Sequence, residues 1–271
     1  MRKRVAASIV TRACVLAIGA AVAPTLSGAR NPSLLFATPL TGGAPVHSAI
    51  DDRGFIYLAG NVAATRGSIL SPTVAFVTKL TPSGIPLYTT YLQAARFAGE
   101  YDDCGIEIHA IAVDRNGAAY VAGCTSADDF PVVRPLVATL PDSRGSAFVA
   151  KLDASGAFVY STYFGASRAT AISAADDGTA YVAGIAGGVR LPLVNPALTD
   201  GSGFVAKLDP SGARILYSTY VDASVNALAI DRTGAAFLAG SGDIFVSASG
   251  RAPRCRDESG DAVVIKLAPS G

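Results

Sequence analysis

Two sets of residues in this chain carry side chains able to do chemistry. The first is periodic. Beyond residue 29 every lysine (Lys79, Lys151, Lys207 and Lys266) stands in the phrase K-L-x-x-S-G, and every other basic residue is arginine. A ring of ammonium groups could hold an anion. A residue met once per repeat is better explained as part of the repeat, its stem laid between neighbours and its charge sent to a carboxylate or carbonyl. The second set is irregular. Glu100, Asp102, Asp103, Asp128, Asp129, Arg254, Arg256, Asp257, Glu258 and Asp261 cluster in segments with no repeat pattern. Of these, Asp102, Asp103, Asp128, Asp129, Arg254, Asp257 and Glu258 are the candidate ligand-binding residues.

Catalytic signatures are scarce. The chain has two histidines, His47 and His109, at nearly equivalent places in neighbouring repeats, which suits buried structural residues. It has no G-x-S-x-G, H-E-x-x-H or phosphate-loop motif. Paired carboxylates could serve as acid and base on a glycosidic bond. No pair is singled out, and the absence of tryptophan removes a common sugar platform. No catalytic residue and no resident metal or cofactor is expected. The carboxylates of "EYDDCG" and "RDESGD" would suit calcium, but they lack the alternation of a dedicated calcium loop.

These residues are positioned by two alternating motifs. One reads "HSAIDDRGFIYLAG", "AIAVDRNGAAYVAG", "AISAADDGTAYVAG" and "ALAIDRTGAAFLAG". The other reads "FVTKLTPSGIPLYTTYL", "FVAKLDASGAFVYSTYF", "FVAKLDPSGARILYSTYV" and "VVIKLAPSG". Gly54, Gly117, Gly178 and Gly234 mark the first motif at spacings of 63, 61 and 56 residues. In both motifs two β-prone runs flank a turn whose glycine accepts positive φ, so each is a hairpin. Two hairpins per unit make a four-stranded antiparallel sheet, and recurrence about every 60 residues predicts the blades of a β-propeller. Alanine-rich first strands suit a crowded axis. The aromatic fourth strands supply bulk where blades splay apart.

The phrase "AFVAKLD-x-SG…YSTY", followed by "YVAG" and the tail "CTSADDFP" (124–131), resembles the bacterial β-propeller repeat family known as SBBP. The other units depart from that tail with "NVAATRG", "IAGGVRLP" and "SGDIFVSA". The resemblance covers residues 34 to 271 and implies exported repeat proteins with no shared enzymatic activity.

The expected fold is therefore all-β, with blade units at 46–92, 108–164, 169–221 and 225–271. "LLFATPL" (34–40) resembles a fourth strand, and the last unit stops after its third. Pairing these would close a four-bladed, monomeric ring and hide a sheet edge; a longer ring cut short is the rival. Residues 1–29, basic then apolar then small, read as a secretory signal peptide, leaving 30–271 as the propeller domain. The apolar run is shorter than the ~20 residues of a spanning helix. Without the segment's four basic residues, 18 basic face 21 acidic, a net of about −3. That balance points away from nucleic acid as a partner. The address is secreted, periplasmic or cell surface, with no integral membrane segment after cleavage.

Beyond the leader three cysteines remain. Pairing about Arg115 and Asn116 sets residue 108 opposite 124, within a short fold-back of Cys104. A Cys104–Cys124 disulfide suits an oxidising compartment, with Cys255 left over or exchanged for either. The tight turns fall on one face of the ring and the long segments 61–74, 93–107, 125–146, 185–202 and 241–261 on the other, where propellers usually bind. The sequence thus reads as an exported, non-catalytic binding or structural module for a protein or glycan. An extracellular polysaccharide hydrolase or lyase using the acidic loop face is the alternative.

Overall fold

The first motif places Asp51 and Asp114 at the start of turns whose geometry their own carboxylates fix. Asp114 Oδ1 accepts from the backbone N–H of Asn116 (2.9 Å) and Ala118 (3.0 Å), and Asp51 Oδ1 accepts likewise from Arg53 and Phe55. The turn closes at glycine: Gly54, Gly117, Gly178 and Gly234 adopt φ of 81°, 79°, 87° and 84°, a region that side chains with a Cβ avoid. Hairpins of this kind build the whole structure, a computed structural model that describes residues 36–37, 44–62, 74–96, 104–188, 190–242 and 261–271. The expected signal peptide lies outside them.

The described residues form antiparallel sheets in chain order. The first sheet holds β1 (Ala44–Ile50), β2 (Ile56–Val62), β3 (Val74–Leu80) and β4 (Pro86–Gln93). The second holds β5 (Ile106–Val113), β6 (Ala119–Thr125), β7 (Ser146–Leu152) and β8 (Phe158–Gly165). The third holds β9 (Arg168–Ala174), β10 (Ala180–Ile185), β11 (Gly203–Leu208) and β12 (Ile215–Val221). The fourth has three strands among the described residues: β13 (Ser224–Ile230), β14 (Ala236–Gly242) and β15 (Asp261–Leu267). Of the expected closing strand 34–40, Phe36 and Ala37 are described; both are exposed and outside any strand. No described helix is long and apolar enough to cross a membrane.

The architecture is propeller-like. The first strands gather around a central opening of about 350 Å³, to which β1, β5, β9 and β13 contribute His47, His109, Thr170 and Leu228. Apolar clusters fill the space between consecutive sheets. Tyr57, Val77 and Leu92 meet Ile106 and Phe148; Tyr120, Tyr160 and Phe164 meet Phe204; Tyr181 and Tyr217 meet Val225 and Leu238. Each such side chain contributes on the order of 2 kcal/mol by leaving water. Stability thus resides in the junctions as much as in the strand ladders.

One irregularity recurs. Each first strand carries a bulge, between Pro45 and His47, Ile108 and Ala110, Ala169 and Ala171, and Val225 and Ala227. The bulge brings a first-strand carbonyl over the glycine of the "AG" pair. A Cβ on Gly123 would strike the Glu107 carbonyl, and one on Gly240 the Ser224 carbonyl. It also corrects the hairpin arithmetic: because His109 is the extra residue, Glu107, not residue 108, lies opposite Cys124. His109 is thus the bulged residue, whereas His47 stands one register place later, level with Ala110.

Candidate functional site

The periodic lysines sit on the tight-turn side of the junctions, each opposite an aromatic residue of the neighbouring strand. Lys79 pairs in register with Tyr57, Lys151 with Tyr120, Lys207 with Tyr181 and Lys266 with Phe237. Each ammonium lies 4.8–4.9 Å from the centre of its ring, within the range of cation–π attraction. The side chains then reach forward to the next sheet. Lys151 Nζ donates to the carbonyls of Gly178 (3.5 Å) and Pro210 (3.3 Å), Lys79 to Ala154 (3.4 Å) and Lys207 to Pro269 (3.4 Å). The tyrosines reach the same way: the hydroxyls of Tyr57, Tyr120 and Tyr181 lie 3.0, 3.1 and 3.1 Å from the carbonyl oxygens of Gly117, Gly178 and Gly234. Burial holds the Lys79 and Lys151 ammonium groups below their ordinary pKa, although Asp51 and Asp114 act against that shift.

A carboxylate completes the first two junctions. Tyr120 donates to Asp114 Oδ2 at 2.8 Å, and Tyr57 to Asp51 Oδ2 at 3.3 Å. Both acids are buried, so phenol and carboxylate satisfy one another away from water, while each ammonium is held by its ring and by the next sheet's carbonyls. Burial first, then the carboxylates, push both phenols well above their usual pKa.

The third junction departs from this plan. Where Asp51 and Asp114 stand, the third sheet has Ala175, which keeps the same turn: its carbonyl accepts from Gly178 N at 2.9 Å. Tyr181 and Lys207 remain, but Tyr181 has no counterpart of the Asp51 and Asp114 carboxylates to donate to and gives its hydrogen bond to Gly234 O. A cavity of about 440 Å³ lies between the turns of the third and fourth sheets. The acids around it hold their own turns or an arginine, and the charge of Lys207 also helps to hold the Asp177 carboxyl below its ordinary pKa. Asp177 Oδ1 accepts from Thr179 N and Oγ1 at 2.9 and 2.7 Å. Asp231 Oδ1 accepts from Thr233 N, Thr233 Oγ1 and Ala235 N, and Asp176 pairs with Arg115 at 3.1 Å. Arg232, also on the cavity wall, has no ion pair among the described residues.

No family model matches the chain, and no curated protein does. Among solved structures the chain is similar to XC5397, a gluconolactonase from Xanthomonas campestris: 12% identity, TM-score 0.36, covering 73% of this chain and 55% of that one. It is similar to the C-terminal WD40 domain of Sif2 at 7% identity and TM-score 0.36, covering 73% and 46%. It is also similar to the Synechocystis apocarotenoid oxygenase at 12% identity and TM-score 0.38, covering 82% and 47%. The chain spans about half the length of these structures.

The acidic candidates on the long-loop side separate. Asp128 and Asp129 are joined to the first sheet's exit. Asp129 accepts from the N–H of Ala95 and Arg96, and Arg96 Nε donates to Asp128 Oδ1 at 3.2 Å. Their segment is held further by Tyr163, which donates to the Ala127 carbonyl and accepts from Phe130 N. Asp102, Asp103, Arg254, Asp257 and Glu258 lie outside the described residues. Cys104 and Cys124 are joined by a disulfide with Cα atoms 5.9 Å apart; Glu107 lies beside them, and His109 Nε2 stands 3.9 Å from Cys124 Sγ and 3.3 Å from Glu107 Oε2.

Two other long segments lie along outer edges. Val133 and Val137 bridge to Ser161 and Tyr163 of β8, and Val194 to Ser218 of β12. The Ser-Thr of "YSTY" supplies the hydroxyls: Ser218 Oγ accepts from Val194 N and Thr219 Oγ1 from Leu198 N, both at 2.8 Å. An edge covered in this way offers no free ladder to another chain.

Proposed function

We propose that the chain is an exported, non-catalytic binding or structural module of the SBBP repeat type, built as a four-bladed ring. The observation that carries this reading is the use made of its repeated polar residues. The lysines and tyrosines of the first three units reach carbonyls of the neighbouring sheet, and Asp51 and Asp114 hold their own turns and tyrosines, as a scaffold requires and a catalytic centre does not. Asp128 and Asp129, the acids that a polysaccharide hydrolase would draw on, are likewise committed to the exit of the first sheet.

Ring closure is supported by a charge pattern at the second turn position. Asp52, Arg115, Asp176 and Arg232 alternate in sign through the four units. Arg115 Nε lies 3.6 Å from Asp52 and 3.1 Å from Asp176. A closed ring would set Arg232 between Asp176 and Asp52, with residues 34–40 as the fourth strand beside β15. These pairs are exposed, so each adds well under about 1 kcal/mol; their value here is as a register mark.

Light scattering on the chain lacking 1–29 tests closure: a compact monomer is expected, and open-ended oligomers would refute it. A glycan array run beside a hydrolase substrate panel tests the activity class. Turnover abolished by Asp129→Asn or Asp257→Asn would overturn the non-catalytic reading.

A further inference from the structure

We infer that the entrance of the second sheet is a redox-gated zinc site, in which Cys104, Glu107, His109 and Cys124 hold one Zn²⁺ when the two cysteines are thiols. The inference goes beyond the binding role proposed above. It stands without export or ring closure, because its residues belong to the hairpin of β5 and β6 and to the approach to β5.

Residue type and placement carry the argument. The ligating atoms of Cys104, Glu107 and Cys124 all lie within 4.8 Å of one another, as groups sharing an ion must. Glu107 stands directly opposite Cys124 on the hairpin, and Cys104 folds back onto the pair through the disulfide. The bulge supplies the fourth group. His109 is the extra residue, and its Nε2 lies 3.3 Å from Glu107 Oε2 and 3.9 Å from Cys124 Sγ. Zinc binds nitrogen and oxygen at about 2.1 Å and sulfur at about 2.3 Å, so in a tetrahedron nitrogen lies about 3.4 Å from oxygen and about 3.6 Å from sulfur. The observed gaps are close to those of ligands on neighbouring corners.

The third sheet orients the histidine. His109 Nδ1 lies 3.2 Å from the Ala169 carbonyl, and a carbonyl only accepts, so Nδ1 carries the proton. The Nε2 lone pair then faces a carboxylate and a sulfur, two electron-rich neighbours that a shared cation reconciles. A backbone carbonyl on the second ring nitrogen is the usual support of a metal-bound histidine. Both cysteines are buried, whereas the Glu107 side chain is 44% exposed, so an ion reaches the site past Glu107.

Disulfide and zinc site are alternatives built from the same two sulfur atoms. A dithiol reductant delivers two electrons and two protons, breaking the S–S bond into two thiols and itself closing to a disulfide. Zn²⁺ then displaces both thiol protons to solvent and forms two Zn–S bonds. Exchange with an oxidised disulfide runs the sequence backwards and releases the ion.

Cobalt(II) chloride and then zinc chloride, titrated anaerobically into the full chain reduced with dithiothreitol and desalted, test the assignment. One equivalent of cobalt should give the visible bands of a tetrahedral thiolate complex, and zinc should bleach them. The disulfide form, lacking both thiolates, should give neither signal. Glu107→Gln and His109→Gln should each weaken zinc binding by about tenfold or more; His47→Gln, on the first sheet, should leave it unchanged. The inference is overturned by a reduced protein without the thiolate–cobalt bands or by equal binding in the disulfide form. Unchanged affinity in a folded Glu107→Gln or His109→Gln protein, or lost affinity in a folded His47→Gln protein, overturns it too. Should reduction unfold the chain, zinc should restore the β-structure read by circular dichroism, and failure to restore it counts equally against the site.

Discussion

Replacing Tyr120 with phenylalanine deletes one oxygen atom at the junction of the second and third sheets. That atom donates to Asp114 Oδ2 at 2.8 Å and lies 3.1 Å from the Gly178 carbonyl. A hydroxyl has one proton to give, so the shorter bond, to a carboxylate, dominates. Asp114 is 5% exposed, so no water readily replaces the lost donor, although Oδ1 keeps its two backbone bonds. A charge-assisted hydrogen bond contributes about 1.5–3 kcal/mol, and the expected loss is about 2 kcal/mol. In a domain of this size that corresponds to roughly 4–8 °C in melting temperature.

Tyr160 supplies the control. It is buried, yet its hydroxyl has no partner among the described residues; its ring packs over Gly212 of the next sheet. Tyr160→Phe deletes the same atom from a similarly buried place and should be neutral or stabilising by up to about 1 kcal/mol, since it removes an unsatisfied polar group. Urea denaturation followed by circular dichroism measures both. The reasoning fails if the two variants lose equal stability, or if Tyr120→Phe loses less than about 0.5 kcal/mol. A double-mutant cycle of Tyr120→Phe with Asp114→Asn should show strong non-additivity, because both changes remove the same bond.

Alkaline pH should unfold the protein cooperatively. Burial raises the pKa of Tyr57, Tyr88, Tyr120, Tyr160, Tyr163 and Tyr217, with Tyr88 and Tyr163 pushed to about 12. The unfolded chain therefore releases these protons first, so stability present below pH 10 is lost as pH rises from there. Each tyrosine adds a slope of about 1.4 kcal/mol per pH unit. Phenolate absorbance should thus rise together with the loss of β-structure, and phenolate appearing in a still-folded protein would contradict this. Gly123→Ala should cost several kcal/mol or prevent folding, since its Cβ would meet the Glu107 carbonyl. Gly188→Ala, at φ 77° with open space around it, should cost only about 1 kcal/mol, as thermal melts would show. Reducing Cys104–Cys124, which are 20 residues apart, should lower stability by about 3 kcal/mol on the chain-entropy estimate, read from urea curves with and without reductant.

Hairpins were legible in the sequence because their causes are local. Asp-x-x-Gly and Pro-Ser-Gly turns specify their own geometry, and the alternation of the two motifs sets strand order. The bulge was not legible, because its cause lies across the hairpin: the glycine of "AG" looks like mere strand punctuation until a facing carbonyl is placed above it. Asp128 and Asp129 looked like free loop charge because their partners, Ala95 and Arg96, are more than thirty residues away. Ala175 was visible as a departure from Asp-x-x-Gly. Its consequence, a Tyr181 hydroxyl that gives its hydrogen bond to Gly234 O, appears only when two sheets are packed together.

The tyrosine and lysine contacts between sheets all run one way, with the donors on the earlier sheet and the carbonyls on the later one. Such an interface is heterologous: each unit presents a plug on one side and a socket on the other. A further copy spliced between two units would find a socket ahead of it and a plug behind, with no new chemistry required. No single junction therefore records how many units the chain contains, so gene duplication could lengthen or shorten such an array without redesigning any interface.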